Sequence, residues 1–434
     1  MSHMVIRHAT VITMDPGDRV LLDTDVVVED GVIAEIVEGG GAGTHSIQHQ
    51  IDAGGGILMP SLINAHSHLA MTLMRGLADD RDLQAFLATV FPVEAAIIDS
   101  RSVALGTRLA LAESLRAGTT TALDMYWFHE AAAAEARAAG FRLENGPCLI
   151  GTDAPDHLTF DQRCQAATAT GPHRWIFAHG TYTMTIDELR TVRSLVDDQQ
   201  ARFHIHCSEN AAEVEQVTTA TGMTPVRLLD ELGLLREGTV LAHAVVLDSE
   251  EVNRLAATRT AVAHCPLSNM KLGSGIAPIP EMLEAGVVVG LGTDGPASSN
   301  DLDLFAAMRM AALLPKGTRG DAAILSAHQI LKMATLGGAQ ALGMDHEIGS
   351  IELGKQADLV LLDPQSPSLV PSYDPVSTVV YAASRADVTD VWISGRLVVR
   401  DRVVLTIDVP ATVADVAAFS ARVPREGASH SALP

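Results

Sequence analysis

Hydrophobic and polar positions follow two different patterns along the chain. Residues 4 to about 56 contain short runs rich in β-branched residues, such as VIRHATVITM, separated by turn residues, and this texture is typical of a small β domain. From Ile57 onward, short apolar runs alternate with helical segments that begin at capping residues. After Gly349 the β-branched runs return. The alternation of strands with helices in the middle of the chain indicates parallel βαβ units.

Local signals define individual elements in this middle part. The run TTTALDM (119–125) predicts a strand, and the alanine-rich segment 129–140 predicts a helix that ends at Gly140. Thr185 and Glu188 have the spacing of a helix-capping box. Counting all such units gives about eight strands, which predicts an α/β fold of the (β/α)8 TIM-barrel type. In that fold the active site lies at the carboxyl-terminal ends of the strands.

The two β-rich flanks are expected to pair with each other beside the barrel. We predict that residues 1–56 and 350–434 form one composite β-sandwich domain and that residues 57–349 form the catalytic barrel. The chain has 434 residues, of which 47% are hydrophobic, so it is large enough for a barrel with a satellite domain.

Composition and charge narrow the class of partner. The formal net charge is −23 and no basic run occurs, which argues against a nucleic-acid partner. No apolar run reaches the roughly 18 residues of a membrane span, and the start MSHMVIRH does not resemble a signal peptide. The four scattered cysteines form no CxxC pair, as is usual in a reducing compartment. We therefore expect a cytoplasmic protein that acts on a small molecule, with a homo-oligomer left open.

Four of the apolar runs end in ionisable side chains. The residues at these ends are His66 and His68, His206 with Glu209, His243, and Asp294. Three histidines and one carboxylate can bind a divalent cation and leave one position for water. The ion would lower the pKa of that water from ~16 to near 7. A carboxylate outside the ligand set, such as Glu209, could then transfer protons, and His243 could orient the water or stabilise developing negative charge.

Each of these residues also has an ordinary structural interpretation. A single histidine such as His243 at the end of a buried strand is more often a packed core residue. Glu209 alone would be an acid favoured at a helix N-terminus, and Asp294 alone would be a turn or cap residue. We interpret His204 as a packing residue. His264 fits either a structural or a functional role, and we favour the structural one.

Two other kinds of site were weighed against a metal centre. Gly290, Gly292 and Gly295 form a GxGxxG pattern after a strand, which is a weak indication of a dinucleotide site. The pattern lies late in the chain and contains Asp294 where phosphates would approach. The HxE…PCxxC signature of cytidine-type zinc deaminases is absent from the sequence.

Several longer motifs together resemble one family. They are INAHSHLAMTLMRGLADD, HCSEN, LAHAV, HCPLSNMKLGSGIAPI, LGTDGPASSNDLDL and GSIELGKQADLVLLD, and they cover nearly the whole chain. The sequence resembles the amidohydrolase superfamily, and within it the methylthioadenosine/S-adenosylhomocysteine deaminases and their triazine-hydrolase relatives.

The resemblance implies a ligand set and roles for particular residues. It implies one divalent ion, usually Zn²⁺ with Fe²⁺ as the other option, held by His66, His68, His206 and Asp294. It further implies that Glu209 is the proton shuttle, that His243 orients the hydrolytic water and that Asp294 also accepts a proton from it. Glu94 would bind the ribose of a nucleoside, and His179 would contact the substrate.

The chain departs from the family pattern at two places. Ser61 stands where relatives usually have glycine, just before the first metal ligands. Some relatives bind a homocysteine carboxylate through arginines after the third strand, and that region here offers Arg163. No lysine precedes Lys271, so the bridging lysine of two-metal relatives is absent and one ion is expected.

The resulting hypothesis is a hydrolytic deaminase that replaces the C6 amino group of an adenosine derivative by oxygen. The expected substrates are 5′-methylthioadenosine, 5′-deoxyadenosine, S-adenosylhomocysteine or adenosine. The alternative is a deaminase or dechlorinase of another heterocycle, namely guanine, a pterin or an s-triazine. A non-catalytic binding protein on the same barrel is a third, more remote option.

Overall fold

The computed structural model describes residues 3–42, 49–421 and 423. Residues 1–2 and 43–48 of the predicted N-terminal segment, and residue 422 and the stretch after 423 of the C-terminal one, lie outside the described residues. The strands are β1 His3–Ile12, β2 Val20–Glu29, β3 Val32–Glu38, β4 His49–Asp52, β5 Ile57–Pro60, β6 Leu62–Ser67, β7 Thr119–Asp124, β8 Arg142–Glu144, β9 Cys148–Leu149, β10 Trp175–Gly180, β11 Arg202–Cys207, β12 Thr239–His243, β13 Ala261–His264, β14 Val289–Leu291, β15 Leu359–Leu362, β16 Val388–Ile393, β17 Arg396–Arg400 and β18 Val403–Val404.

The helices alternate with the central strands. They are α1 Leu83–Ile97, α2 Ser100–Arg116, α3 His129–Ala139, α4 Phe160–Ala169, α5 Ile186–Asp198, α6 Ala211–Thr221, α7 Pro225–Glu231, α8 Ser249–Thr258, α9 Pro266–Lys271, α10 Ile279–Glu284, α11 Leu304–Arg319, α12 Ala327–Ala334, α13 Leu336–Leu342, α14 Pro375–Ser377 and α15 Val409–Ser420.

The central strands form a parallel barrel with eight strand positions. β6, β7 and β8 pair in that order, and β9 to β14 pair in sequence order, with β8 and β9 sharing one position. The gap between β8 and β9 contains Gly146, where a Cβ atom would lie 2.1 Å from the Trp175 carbonyl oxygen, so only glycine fits. Ser67 pairs with Asp294 in an isolated parallel bridge that joins the first strand to the end of the last. The predicted α/β barrel is therefore confirmed.

The flanking strands form one mainly antiparallel sheet built from both ends of the chain. Its order is β18-β17-β16-β15-β5-β1-β2-β3, with β4 beside β1. The N-terminal and C-terminal parts meet where β5 pairs with β15, with Met59 opposite Val360. Ile6, Leu359 and Trp392 are buried in one shared apolar cluster. Apolar side chains from the two flanks thus pack in one cluster. The bounds of the composite domain, 1–56 with 350–434, stay a prediction.

The helices and strands predicted from local signals agree with the structure. The strand at 119–125 is β7, and the alanine-rich helix is α3, which ends at Gly140 in the left-handed conformation. The Thr185 side chain accepts from the Glu188 N–H in a reciprocal capping box. Helix α15 has no counterpart in the sequence-based expectations; it packs against α2, on the barrel side of the molecule.

The membrane test gives a limited result. Within residues 3–42, 49–421 and 423, no single helix is both long and apolar enough to cross a bilayer. Helices α1 and α2 satisfy the length and composition together, but they are bent by 116° at their junction.

Candidate metal and active site

Four predicted ligands converge at the carboxyl-terminal ends of the barrel strands. One ligand atom each from His66, His68, His206 and Asp294 lies within 4.8 Å of the others, and all four residues are buried. The Asp294 Oδ1 atom lies 3.3 Å from His66 Nε2 and 3.1 Å from His68 Nε2. A tetrahedral ion with bonds of about 2.0 Å places its ligand atoms about 3.3 Å apart. The spacing of the donors therefore fits a metal ion.

Hydrogen bonds on the far side of two rings fix which nitrogen faces the centre. His68 Nδ1 bonds the Met125 carbonyl, and His206 Nδ1 bonds the His179 carbonyl. A carbonyl oxygen only accepts, so each Nδ1 carries a hydrogen, and in its neutral form, the form that binds a metal, each ring points the Nε2 lone pair inward. These two Nε2 atoms are 3.2 Å apart. Two facing lone pairs repel unless a positive charge lies between them.

The electrostatics of the cluster also call for a positive charge. Burial lowers the pKa of His66 to about 3. Burial opposes the ionised form of Asp294, but the neighbouring His66 and His68 hold the pKa of this carboxyl well below its usual range. Burial likewise opposes charge on His68, yet the hydrogen bond to Asp294 raises its pKa to about 9. A proton on His68 still leaves His66 Nε2 buried without a hydrogen-bond partner among the described residues, as expected for a metal-binding nitrogen.

Two serines hold the other oxygen of Asp294. Ser268 Oγ and Ser298 Oγ donate to Asp294 Oδ2 at 2.6 Å and 2.7 Å. The Asp294 backbone is left-handed, with φ of +61°, and its N–H donates to the His66 carbonyl at 3.1 Å. These contacts turn Oδ1 toward the imidazoles. Neither serine was singled out from the sequence, although both lie within the motifs HCPLSN and GPASS.

Glu209 and His243 lie together beside the ligand cluster. His243 Nε2 is 3.8 Å from Glu209 Oε2, and both side chains are buried. The Asn269 amide oxygen lies 2.8 Å from His243 Nδ1, so that nitrogen carries the hydrogen and Nε2 is free to accept. Burial raises the pKa of Glu209 to about 8, and the charge of Asp294 adds to the effect. A carboxyl that titrates near neutral pH is suited to general acid–base catalysis.

A second buried glutamate anchors the turn that carries Glu209. The Glu213 carboxylate accepts from the backbone N–H of Ser208 at 3.2 Å and of Glu209 at 2.6 Å. The Thr181 hydroxyl also donates to it, at 3.3 Å. Sequence reasoning missed Glu213; the available signal was its position in the first turn of α6, where an acid usually faces solvent.

Glu94 and His179 line the same cavity as the ligand cluster. The cavity wall includes His68, His206, Glu209, His243, Asp294, Glu94, His179 and Trp127. Glu94 comes from α1 and is buried, and the Tyr126 hydroxyl donates to its Oε1 at 2.6 Å. Burial raises the pKa of Glu94 to about 7. The structure thus brings all eight predicted site residues together, with His66 beneath the cavity floor; their individual roles stay predictions.

Other residues singled out from the sequence have structural contacts. Ser61 bonds Thr120 through their hydroxyls at 2.6 Å. Gly292 serves close packing rather than phosphate binding, since a Cβ atom there would lie 3.0 Å from the His66 Cβ. His264 is buried with its Nδ1 unpartnered among the described residues. His204 differs from its predicted packing role, because both of its ring nitrogens are hydrogen-bonded.

A (β/α)8 barrel that directs three imidazoles and a carboxylate into one buried cavity has the architecture of a metal-dependent hydrolase. Comparison with known proteins identifies the family more closely. The model of the amidohydrolase family matches residues 57–398, and the chain belongs to this family.

Similar sequences and structures agree with this assignment. The 5-methylthioadenosine/S-adenosylhomocysteine deaminase of Syntrophobacter fumaroxidans is 41% identical over 417 residues, covering 94% of this chain and 95% of that protein. An adenosine deaminase structure from Xanthomonas campestris with bound zinc has a TM-score of 0.93 at 37% identity, covering 97% and 98% of the two chains. A zinc complex of an atrazine chlorohydrolase from Arthrobacter aurescens has a TM-score of 0.89 at 26% identity, covering 96% and 100%.

Proposed function

We propose that this protein is a metal-dependent hydrolytic deaminase that acts on the adenine ring of adenosine derivatives. The observation that carries the proposal is the placement of Glu209 and Glu94 in one cavity with the donor cluster. Glu209 supplies a proton-transfer group for a ring that must be protonated, and Glu94 supplies an acceptor for ribose hydroxyls. The names of the similar proteins, a methylthioadenosine/S-adenosylhomocysteine deaminase and an adenosine deaminase, support this substrate class.

We assign the ion to His66, His68, His206 and Asp294, with Zn²⁺ as the first choice and Fe²⁺ as the second. When bound, such an ion supplies the Lewis acidity that makes water nucleophilic near neutral pH. The nitrogen-rich donor set suits zinc, and zinc is bound in the similar structures from Xanthomonas campestris and Arthrobacter aurescens.

The protein residues account for the movement of protons. Water adds its oxygen to C6 of the ring, while His243 Nε2 accepts a hydrogen bond from it and Asp294 takes a proton. Glu209 delivers a proton to N1 as the C6–oxygen bond forms. Asp294 passes its proton to the amino group, the C6–nitrogen bond breaks and ammonia leaves. The proton on N1 stays with the hypoxanthine analogue, and the proton of the new C6 hydroxyl returns to Glu209 as the C6 carbonyl forms. Because burial raises the pKa of Glu209 to about 8, close to neutral pH, this carboxyl can both donate and accept a proton during the reaction.

The space beyond Glu94 indicates which 5′ substituent fits. A second cavity shares Phe91, Glu94 and Trp127 with the first and continues along Ala154 and Pro155. Its wall is mainly apolar and, among the residues that the structure describes, includes Asp153 and His157 but no arginine or lysine.

Arg163 does not supply the missing cation. It is buried, its guanidinium forms a two-pronged pair with Asp156, and it donates to the Ile150 carbonyl at 2.8 Å. We therefore propose a neutral 5′ group, as in 5′-methylthioadenosine or 5′-deoxyadenosine, ahead of S-adenosylhomocysteine. In this proposal residues 57–349 are the catalytic barrel, and residues 1–56 with 350–434 are the β domain beside it.

A substrate panel tests the function. The zinc-loaded protein would be assayed for ammonia release from 5′-methylthioadenosine, 5′-deoxyadenosine, adenosine, S-adenosylhomocysteine, guanine, a pterin and an s-triazine. We expect the highest kcat/KM for a 5′-neutral adenosine and little or no turnover of the ring compounds that lack ribose. Turnover of guanine, the pterin or the triazine alone would refute the proposed substrate class. Absence of ammonia from every compound, and of chloride from a chlorinated s-triazine, with zinc bound, would favour a binding protein.

The Glu94→Ala variant separates the ribose assignment from the rest. We expect it to raise KM for the best nucleoside at least tenfold. Unchanged turnover would show that Glu94 does not bind the ribose, while leaving the deaminase assignment intact.

A further inference from the structure

His204 is a buried histidine whose two ring nitrogens both have partners. It lies on β11, two residues before His206, and its side chain is fully buried. His204 Nε2 is 2.8 Å from His66 Nδ1, and His204 Nδ1 is 2.8 Å from the Val240 carbonyl oxygen. The three groups form a continuous line from the backbone of β12 to the ligand cluster.

The direction of every hydrogen bond in this line follows from its first member. The Val240 carbonyl can only accept, so His204 Nδ1 carries a hydrogen. The His204 ring is buried, and its centroid lies 5.6 Å from that of the perpendicular Phe177 ring. Because a charged ring is costly in such an apolar environment, the neutral form is the stable one there. Its Nε2 is then a lone pair, and His66 Nδ1 must donate to it. His66 Nε2 is consequently a lone pair, and it is the atom 3.3 Å from Asp294 Oδ1.

We propose that His204 is a positioning residue for the metal site: through the relay from the Val240 carbonyl, it fixes the tautomer and orientation of His66 so that His66 Nε2 faces the ion. The proposal rests on the metal site of the proposed function. It assigns to His204 the part that backbone carbonyls play for His68 and His206, whose Nδ1 atoms bond Met125 and His179 directly. Among the three histidine ligands, His66 is the one whose Nδ1 meets a side chain and not a backbone carbonyl. Partners of this kind commonly contribute about 10- to 100-fold to metal affinity.

Two substitutions at His204 separate hydrogen bonding from packing. His204→Leu introduces an apolar side chain of similar size, which can pack in the same space but offers the His66 Nδ1–H group no acceptor. His204→Gln places an amide oxygen for His66 and an N–H for the Val240 carbonyl. The matched control is His264→Leu, which removes a buried histidine from β13 of the same barrel, where Nδ1 has no partner among the described residues.

The measurement is zinc affinity of the metal-free proteins by competition with a chromophoric chelator. We expect His204→Leu to raise the zinc Kd about 10- to 100-fold and His204→Gln and His264→Leu to stay within about threefold of the wild-type value. The proposal is overturned if His204→Leu also stays within threefold, or if His264→Leu weakens zinc binding as much as His204→Leu.

A measurement on the unaltered protein covers the case in which a variant does not fold. In ¹⁵N-histidine spectra of the zinc-loaded wild type, we expect the His66 and His204 rings both to carry hydrogen on Nδ1. Hydrogen on Nε2 of either ring contradicts the relay. If the variants show the expected zinc affinities but the zinc-loaded wild type releases no ammonia, only the proposed activity is refuted. An active enzyme without the pattern refutes the relay alone.

Discussion

The backbone N–H of Glu209 donates a 2.6 Å hydrogen bond to the carboxylate of Glu213, four residues further along the chain. The same carboxylate accepts from Ser208, whose backbone is left-handed with φ of +51°. Glu213 sits in the first turn of α6 and is buried. Helix α6 therefore anchors the turn at residues 208–209 through Glu213, and this anchor determines where the Glu209 side chain enters the cavity.

Loss of this anchor should affect turnover more than binding. In Glu213→Ala the two N–H groups lose their acceptor, and we expect kcat to fall about 100-fold with KM changed less than about threefold, because catalytic groups displaced by about 1 Å lose that much rate. Glu213→Gln keeps one acceptor oxygen, and its kcat should lie between the values of the wild type and of Glu213→Ala. Steady-state kinetics on the best substrate measure this. A Glu213→Ala enzyme with wild-type kcat would contradict the anchoring role.

Glu209 itself should be needed for chemistry but not for metal binding. Glu209→Gln preserves the shape of the side chain and removes its ability to carry a proton. We expect kcat to fall by about 10²- to 10⁴-fold, the usual contribution of a general acid–base group. Zinc content, measured by mass spectrometry of the purified protein, should stay at the wild-type ratio. Loss of zinc together with activity would place Glu209 among the ligands instead.

The buried carboxyl of Glu94 should make stability depend on pH. Burial raises its pKa to about 7 from an ordinary value of 4.5, so the folded protein binds more protons than the unfolded chain between these two values. Stability therefore falls as the pH rises through this range, by about 3 kcal/mol at most.

Glu94→Gln removes this titration and still accepts from the Tyr126 hydroxyl. We expect its melting temperature, relative to the wild type at equal zinc loading, to rise between pH 5 and pH 8. A difference that is constant with pH would mean that Glu94 is ionised throughout the range.

Removal of the aspartate charge should weaken metal binding. In Asp294→Asn the single side-chain oxygen can face either the ion or the two serine hydroxyls, but not both. The substitution also removes the one negative charge of the donor set. We therefore expect weak zinc binding and activity below about one-hundredth of the wild-type value. Treating the wild-type enzyme with a strong chelator should abolish ammonia release, and added zinc should restore it. Full activity after verified removal of metal would refute metal-dependent catalysis for this protein.

The barrel and the cluster of site residues were predictable because they leave a local trace. Each strand is a short apolar run, and a polar residue stands at or just beyond its carboxyl-terminal end where the active site lies, as at His206 and Asp294. The flanking sheet was predictable for a similar reason, since β-branched runs occur at both ends.

The supporting contacts leave no such trace. Ser268 reaches Asp294 from helix α9 and Ser298 from the turn after β14, and His204 meets a partner 138 residues earlier in the chain. A buried serine or histidine has the same sequence pattern whether it packs or donates. The break at Gly146 is also invisible, because it depends on the approach of β10. Sequence reasoning therefore finds the groups that face the cavity more readily than those that hold them.

The seam between the first and last barrel strands has a consequence for assembly. Its backbone pairing is one bridge, Ser67 with Asp294, assisted by the Asn64 side chain on Thr293 at 2.8 Å. His66 and His68 flank one side of that bridge, and Asp294 is the other side. An ion held by these three residues would link the first and last strands of the barrel across this seam. Metal binding and closure of the barrel would then be coupled, and both would require the last barrel strand to be in place beside the first.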